Sequence, residues 1–324
     1  MKILILGGHG FIGHHVARQL IDLGHEIGIL DIHHTYGDYQ EWEYNPVLKQ
    51  RLLHLGNHKF WLGDVCDKEV VEKIFKEFRP QRVIDLATYP NAKMVKKNII
   101  DATNNMITAT VIALDMCAKY SVERFVLASS SMVYGDFDSF KDAPNENSIC
   151  NPLTLYGSYK LQCERMCRIW QKEYGIEYTL LRPSALYGIR DMVVRVISKM
   201  TVSALKTGKI IVNGPNNKLD FTYVTDVANA FTTAVLHNNA SNQIFNCTRG
   251  NGRKIIEAAE IIKSIIPSEI VVEPHDSFYP NRDTLNSNLM IEMTGWKPII
   301  DIEKGIPLYL NWFLKQNYID FFKK

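Results

Sequence analysis

The stretch Lys2-Ile3-Leu4-Ile5-Leu6-Gly7-Gly8-His9-Gly10-Phe11-Ile12-Gly13 decides the fold. Its four apolar residues in a row read as a strand buried on both faces, and apolar residues at helical spacing follow over 12–23. Between them lie two overlapping glycine frames, G-x-G-x-x-G from Gly8 and G-x-x-G-x-x-G from Gly7, which share Gly10 and Gly13. A turn too tight for a Cβ, leading into free helix N–H groups, suits a pyrophosphate. A second apolar run, 26–31, closes on Asp31, eighteen residues past Gly13. A carboxylate there can accept both adenosine-ribose hydroxyls and repels a 2′-phosphate, so the sequence predicts NAD rather than NADP.

Outward from this unit, strand patterns at 2–6, 26–31, 59–62, 82–86, 124–128 and 177–181 alternate with helical patterns at 12–23, 68–78, 98–120 and 153–174. That rhythm predicts an α/β fold, a Rossmann-type doubly wound parallel sheet. After Arg182, Gly- and Asn-rich turns separate shorter elements. The expectation is a Rossmann domain over 1–182 and a smaller mixed substrate lobe over 183–324, with segments crossing back and the ligand cleft between. The cofactor pocket is expected to draw on Gly7, Gly10, Phe11, Ile12, Gly13 and Asp31. Asp64 and Val65 after the third strand, and Leu86 and Ala87 after the fourth, should join it. Asp64 has two readings, an acceptor for the adenine amino group or a helix N-cap before Cys66-Asp67-Lys68.

Composition bounds the possibilities. The 324 residues are 46% hydrophobic and 22% charged, which excludes a disordered or fibrous chain. Lys and Arg number 37 against 35 Asp and Glu, so no basic surplus points to nucleic acid or a membrane surface. Six scattered cysteines with no Cys-x-x-Cys pair read as reduced thiols of a cytoplasmic protein. The N-terminal apolar run is too short for a signal peptide, and no stretch of about 20 apolar residues follows.

Ser129-Ser130-Ser131-Met132-Val133-Tyr134-Gly135 follows the fifth strand, and Tyr156-Gly157-Ser158-Tyr159-Lys160 opens a helix behind Asn151-Pro152. Tyr156 and Lys160, at i and i+4, share a helical face. A free tyrosine, with a pKa of about 10, is a poor base at neutral pH. An ammonium one turn away stabilises a phenolate and makes such a pair an acid/base for alcohol–ketone chemistry. A serine at a neighbouring strand tip would hold the same substrate oxygen.

Together these motifs resemble the extended short-chain dehydrogenase/reductases of the nucleotide-sugar epimerase/dehydratase family, nearly end to end. Arg124-Phe125-Val126 leading to the Ser-Ser-Ser-x-Val-Tyr-Gly run and Leu181-Arg182-Pro183 leading to Tyr187-Gly188 belong to the likeness. So do Asp220-Phe221-Thr222-Tyr223-Val224-Thr225-Asp226-Val227 and Gly295-Trp296-Lys297-Pro298. The resemblance implies Ser130 as serine partner, Tyr156 as base and Lys160 as holder of the nicotinamide ribose. It further implies a nucleotide-sugar substrate oxidised at C4 and a homodimer through helices near 98–120 and 153–174. Family dehydratases carry Asp-Glu after the catalytic Ser or Thr, and decarboxylases a Glu. Here Ser131 and Met132 stand at those substrate-side positions, which argues against loss of water. Asp85 replaces a common His, Ala185 an Asn, Leu219 an Arg, and Met106 an Asn beside Asn105. Lys218 or Arg282 could supply the charge for the diphosphate. Epimerisation, 4-dehydrogenation and 4-ketoreduction all remain open, and a small-carbonyl reductase or a non-catalytic dinucleotide sensor compete less well.

Other features read plainly. His14-His15 and His33-His34 are expected to be solvated, with His33 against adenine, rather than metal ligands. Cys163 and Cys167 read as buried thiols, Trp296 as core, and Glu41-Trp42-Glu43-Tyr44 as a loop over the adenosine end.

Overall fold

The computed structural model describes residues 1–34, 41–192 and 195–316, without the side chains of 41–43. Its first half runs β1 (Lys2–Leu6), α1 (Gly13–Asp22), β2 (Glu26–Asp31), α2 (Glu41–Leu55), β3 (Lys59–Leu62), α3 (Lys68–Phe78), β4 (Arg82–Asp85), α4 (Ala92–Lys97) and α5 (Ile99–Thr103). A π-helical turn, Asn104–Thr108, leads into α6 (Ala109–Lys119), then β5 (Arg124–Ala128), α7 (Leu155–Tyr174) and β6 (Glu177–Arg182). The second half supplies β7 (Ala185–Tyr187), α8 (Val196–Thr207), β8 (Lys209–Asn213), β9 (Lys218–Leu219), β10 (Phe221–Tyr223) and α9 (Val224–Leu236). It ends with β11 (Gln243–Asn246), β12 (Arg253–Lys254), α10 (Ile255–Ile265), β13 (Glu269–Glu273), α11 (Asn288–Thr294) and α12 (Ile302–Leu314).

Seven strands form one parallel sheet in the order β3-β2-β1-β4-β5-β6-β11. Strand order reverses between β1 and β4, and at such a switch point a crevice opens beyond the strand ends. Successive residues of β1 serve opposite faces. Ile3 and Ile5 pack with α1 and α9, whereas Leu4 and Leu6 pack with α3, α6 and α7. Gly28 in mid-β2 leaves room for Trp61 and Phe78, since a Cβ there would lie 2.8 and 3.0 Å from their rings. A third core, built by α8, β8, α10 and α12, lies outside the sheet.

Three expectations change. The loop expected at 41–44 is instead the start of α2, because Val47, Leu48, Arg51 and Leu55 turn one buried face inward. The single helix expected over 98–120 is interrupted by the π turn, and β4 stops at Asp85. The strand β11 and helix α9 come from the second half of the chain and complete the sheet. Among the described residues no helix is long and apolar enough to cross a membrane.

Candidate active site

The glycine turn is shaped by contact rather than by flexibility. Gly7 has φ +74°, and a Cβ on it would lie 2.8 Å from the Ala87 nitrogen. A Cβ on Gly13 would lie 2.5 Å from the Gly7 carbonyl oxygen, so α1 begins pressed onto the turn. Gly10 differs: its added Cβ would touch only Gly7 O, at 3.0 Å, and would otherwise project into the cleft. The N–H groups of Phe11, Ile12 and Gly13 find no acceptor among the described residues. Asp31 faces the same space, its two carboxylate oxygens accepting the backbone N–H groups of His9 and His33, each at 2.9 Å. An open cradle, free donors at a helix start and a carboxylate at the tip of β2 fit the pyrophosphate and ribose of a dinucleotide.

One continuous cleft of about 740 Å³ runs from this turn to the second half of the chain. Val65, Leu86 and Ala87 line it, and so does Asp64, whose carboxylate accepts the Cys66 N–H at 2.8 Å. The cap of α3 is Asp67, which accepts from Glu69 and Val70, so the N-cap reading of Asp64 does not hold.

Ser130, Tyr156 and Lys160 line the middle of the cleft together. Thr154 caps α7 through the Gly157 N–H at 3.2 Å. A Cβ on Gly157 would sit 2.4 Å from the Met132 carbonyl oxygen, so the start of α7 lies directly on the turn after β5. That contact sets Tyr156 and Ser130 in the wall of the same cleft. Lys160 donates to the Ala128 carbonyl at 2.6 Å, with its ammonium 5.9 Å from the Tyr156 ring centre. Beneath them, Ser129 bonds Glu164, which forms a buried ion pair with Arg182 at 2.6 Å. Arg182 also donates to the Tyr134 hydroxyl at 2.9 Å, and that hydroxyl donates to Asn246 of β11 at 2.8 Å. The Leu181-Arg182-Pro183 motif thus ties three strand ends into one floor.

The substrate end departs from expectation in part. Met132 lines the cleft, but Ser131 does not: its hydroxyl lies 3.3 Å from that of Ser184 and its N–H bonds Pro183 O at 2.9 Å. Lys218 lines the cleft with its ammonium paired to Asp283 at 3.0 Å. Among the described residues Arg282 forms no ion pair; burial presses its pKa down, and the phenols of Tyr279 and Tyr156 are the groups that act on it. A half-buried guanidinium that faces a cleft with no carboxylate paired to it is a ready anion site.

Sequence reasoning missed Arg51 and Arg195. Arg51, from α2, donates to Arg190 O at 3.2 and 2.9 Å and to His9 O at 3.3 Å, joining the glycine turn to the chain after β7. Arg195 lies over the Phe11 ring at 4.7 Å and pairs with Asp191, whose pKa burial pushes up to about 6. No local motif marks either residue.

Of the four histidines expected to be solvated, His34 is exposed, His33 is half-buried, and His14 and His15 are buried. His14 and His15 are 0% and 4% exposed behind the turn, and burial takes His15 down to about 3. His33 stacks on Phe60 at 4.8 Å and bonds His9 at 2.6 Å, while His34 lines the cleft in its place. Cys163, Cys167 and Trp296 are buried.

Comparison with known proteins completes the picture. The family model described as "NAD dependent epimerase/dehydratase family" matches residues 3–248. A Methanocaldococcus jannaschii protein named "Putative UDP-glucose 4-epimerase" is 33% identical over 323 residues, covering 97% of this chain and 99% of that one. A UDP-glucose 4-epimerase with UDP-glucose from Thermotoga maritima is 27% identical, with TM-score 0.86 over 97% of this chain and 99% of that one. A UDP-glucuronic acid 4-epimerase from Bacillus cereus, in complex with UDP-glucuronic acid and NAD, shares the fold with TM-score 0.88 at 20% identity, over 97% and 99% of the two chains. This chain belongs to the NAD-dependent epimerase/dehydratase family of short-chain dehydrogenase/reductase enzymes, with NAD as its cofactor.

Proposed function

We propose that the protein inverts C4 of a nucleotide sugar through a 4-keto intermediate. The observation that carries this reading is the convergence, in one cleft, of a dinucleotide cradle, the Tyr156–Lys160–Ser130 group and the Arg282 guanidinium, which forms no ion pair among the described residues. NAD, when bound, supplies a reversible acceptor for the C4 hydride. Tyr156 removes the C4 hydroxyl proton and returns it after the ketone has turned over. Lys160 stabilises the phenolate, and Ser130 holds the reacting oxygen by a hydrogen bond. Arg282 binds the diphosphate, a role that Lys218, already paired to Asp283, fills less well. Asp31 with the N–H groups of Phe11, Ile12 and Gly13 holds the cofactor, and the pocket continues along Asp64, Val65, Leu86 and Ala87.

Neither Ser131, turned to Ser184, nor Met132 offers an acid or base for elimination, which supports chemistry that stops at the ketone. The test is to incubate the purified protein with UDP-glucose, UDP-galactose and UDP-glucuronic acid and to read C4 configuration by NMR. Interconversion of C4 epimers with C6 unchanged is expected. A 6-deoxy product would overturn the reading. Net NADH release with accumulating 4-keto sugar would replace it by a 4-dehydrogenase. We also propose a homodimer, supported by apolar residues left exposed at the start of α5 and along α7: Ile99, Ile100, Leu155 and Ile169.

A further inference from the structure

Behind the Tyr156–Lys160 pair lies a buried carboxylate that this reaction does not use. Asp85 ends β4 and is 5% exposed. It stands in register with Leu127 of β5, one residue before Ala128, whose carbonyl takes the Lys160 ammonium. Its side chain lies on the sheet face covered by α6 and α7. There Oδ2 accepts the Thr110 hydroxyl of α6 at 3.4 Å, and Oδ1 accepts the Ala87 N–H at 3.2 Å. The other titratable groups facing it are thiols: Cys117 of α6 and Cys163 and Cys167 of α7, all pushed up by burial with Asp85 adding to the effect. The cation acting on it is Lys160. Burial raises the Asp85 pKa to about 6, and the Lys160 charge, the Ala87 N–H and the Thr110 hydroxyl oppose that rise. One N–H and one hydroxyl, whose shorter bond of 2.8 Å goes to the Met106 carbonyl, are slender support for a carboxylate at this depth, and the Lys160 charge is the foremost influence favouring its ionised form.

We propose that Asp85 is a positioning residue that offsets part of the Lys160 charge and thereby sets how strongly Lys160 stabilises the Tyr156 phenolate. The inference rests on the acid/base reading of Tyr156 and Lys160 given above. With Asp85 ionised, Tyr156 faces an ammonium backed by a carboxylate, which attracts a phenolate less than an isolated cation does. With Asp85 protonated, the full ammonium charge acts, reinforced from the other wall by Arg282. As pH falls through the Asp85 range, the proton affinity of Tyr156 therefore falls as well. The phenolate persists further into acid than it would if Asp85 stayed ionised throughout.

The test needs no substrate. NAD-loaded protein carrying 13Cζ-tyrosine is titrated, and the Tyr156 resonance is assigned by its loss in Tyr156→Phe. In Asp85→Asn the Tyr156 midpoint should fall by ~0.5–1 pH units. Loss of a merely structural contact would lower melting temperature or NAD affinity without moving that midpoint. A reciprocal measurement leaves Asp85 in place. The Asp85 carboxyl carbon, assigned by triple-resonance correlation, should titrate at a higher pH in Lys160→Met than in wild type. An unmoved Tyr156 midpoint in folded Asp85→Asn overturns the proposal. If that variant does not fold, an unmoved Asp85 midpoint in Lys160→Met overturns it. Because neither arm measures turnover, failure with every nucleotide sugar would count against the proposed reaction and not against this coupling.

Discussion

In the proposed mechanism Tyr156 contributes one exchangeable proton at the place where α7 meets the turn after β5, so its loss should stop chemistry and leave the scaffold intact. In Tyr156→Phe, turnover should vanish while NAD binding, read by fluorescence titration, stays near the wild-type value. Lys160→Met should lower both rate and NAD affinity, because in the proposed mechanism the ammonium acts on phenol and ribose alike. Ser130→Ala should cost about 10²–10³-fold in kcat, the loss expected for one positioned donor. Full activity in Tyr156→Phe would defeat the mechanism. As candidates these three residues were legible in the sequence, because Tyr-x-x-x-Lys is a local pattern, the serine run abuts a strand end, and the family resemblance implied Ser130 within that run. Arg51, Arg195 and the true direction of Ser131 were not. Each is defined by a partner far along the chain, Arg190, Phe11 and Ser184 respectively, and no spacing rule encodes such partners.

At the level of elements, the parallel strands could be read because a strand buried on both faces is a continuous apolar run. The bounds of β1, β2, β3, β5 and α3 agree with that reading residue for residue. The start of α2 was hidden by acidic and aromatic residues and by Pro46, which breaks the apparent helical pattern at its first turns. The strand β11 was hidden because its sheet neighbour β6 ends more than sixty residues earlier, at Arg182. What fixes β5, β6, α7 and β11 relative to one another is the polar floor of Ser129, Glu164, Arg182, Tyr134 and Asn246. Arg182 and Glu164 are each 2% exposed, so removing one partner strands a buried charge. Glu164→Gln should destabilise the fold by about 3–5 kcal/mol in urea unfolding. Combining it with Arg182→Met should recover part of that loss. An additive double variant would mean that the two charges are not coupled.

Two properties belong to the whole molecule. If the exposed apolar residues of α5 and α7 form the proposed homodimer seam, Ile100→Asp should give a monomer in sedimentation velocity, and an unchanged dimer would place the seam elsewhere. The second property is the pH dependence of stability, which sums over groups in every layer. Burial lowers His9 and His15 to about 3 and His14 well below its ordinary value, so the unfolded chain binds their protons first as pH falls below about 6.5. Their effect is stability that is present above that pH and lost below it. Burial also raises Asp85, Asp191 and Asp220 to about 6, against an ordinary value of 3.8. For these the folded chain keeps protons that the unfolded chain releases, so stability falls as pH rises from about 4 to about 6. His54, lowered by burial to about 4, adds to the imidazoles, and Glu146 and Asp226, raised by burial, add to the carboxylates; the two kinds oppose one another in that lower window, and the slope there should be small. Above pH 6 the carboxylates are ionised in both states and only the imidazoles still differ, each contributing up to about 1.4 kcal/mol per pH unit. Urea unfolding of NAD-free protein should therefore give a shallow dependence between pH 5 and 6, a rise from 6 to 7, and a plateau beyond. His15→Gln should reduce the rise between 6 and 7 without changing the plateau's position. A flat profile from 6 to 8 would mean that these histidines take up protons inside the fold, in conflict with their packing behind the glycine turn.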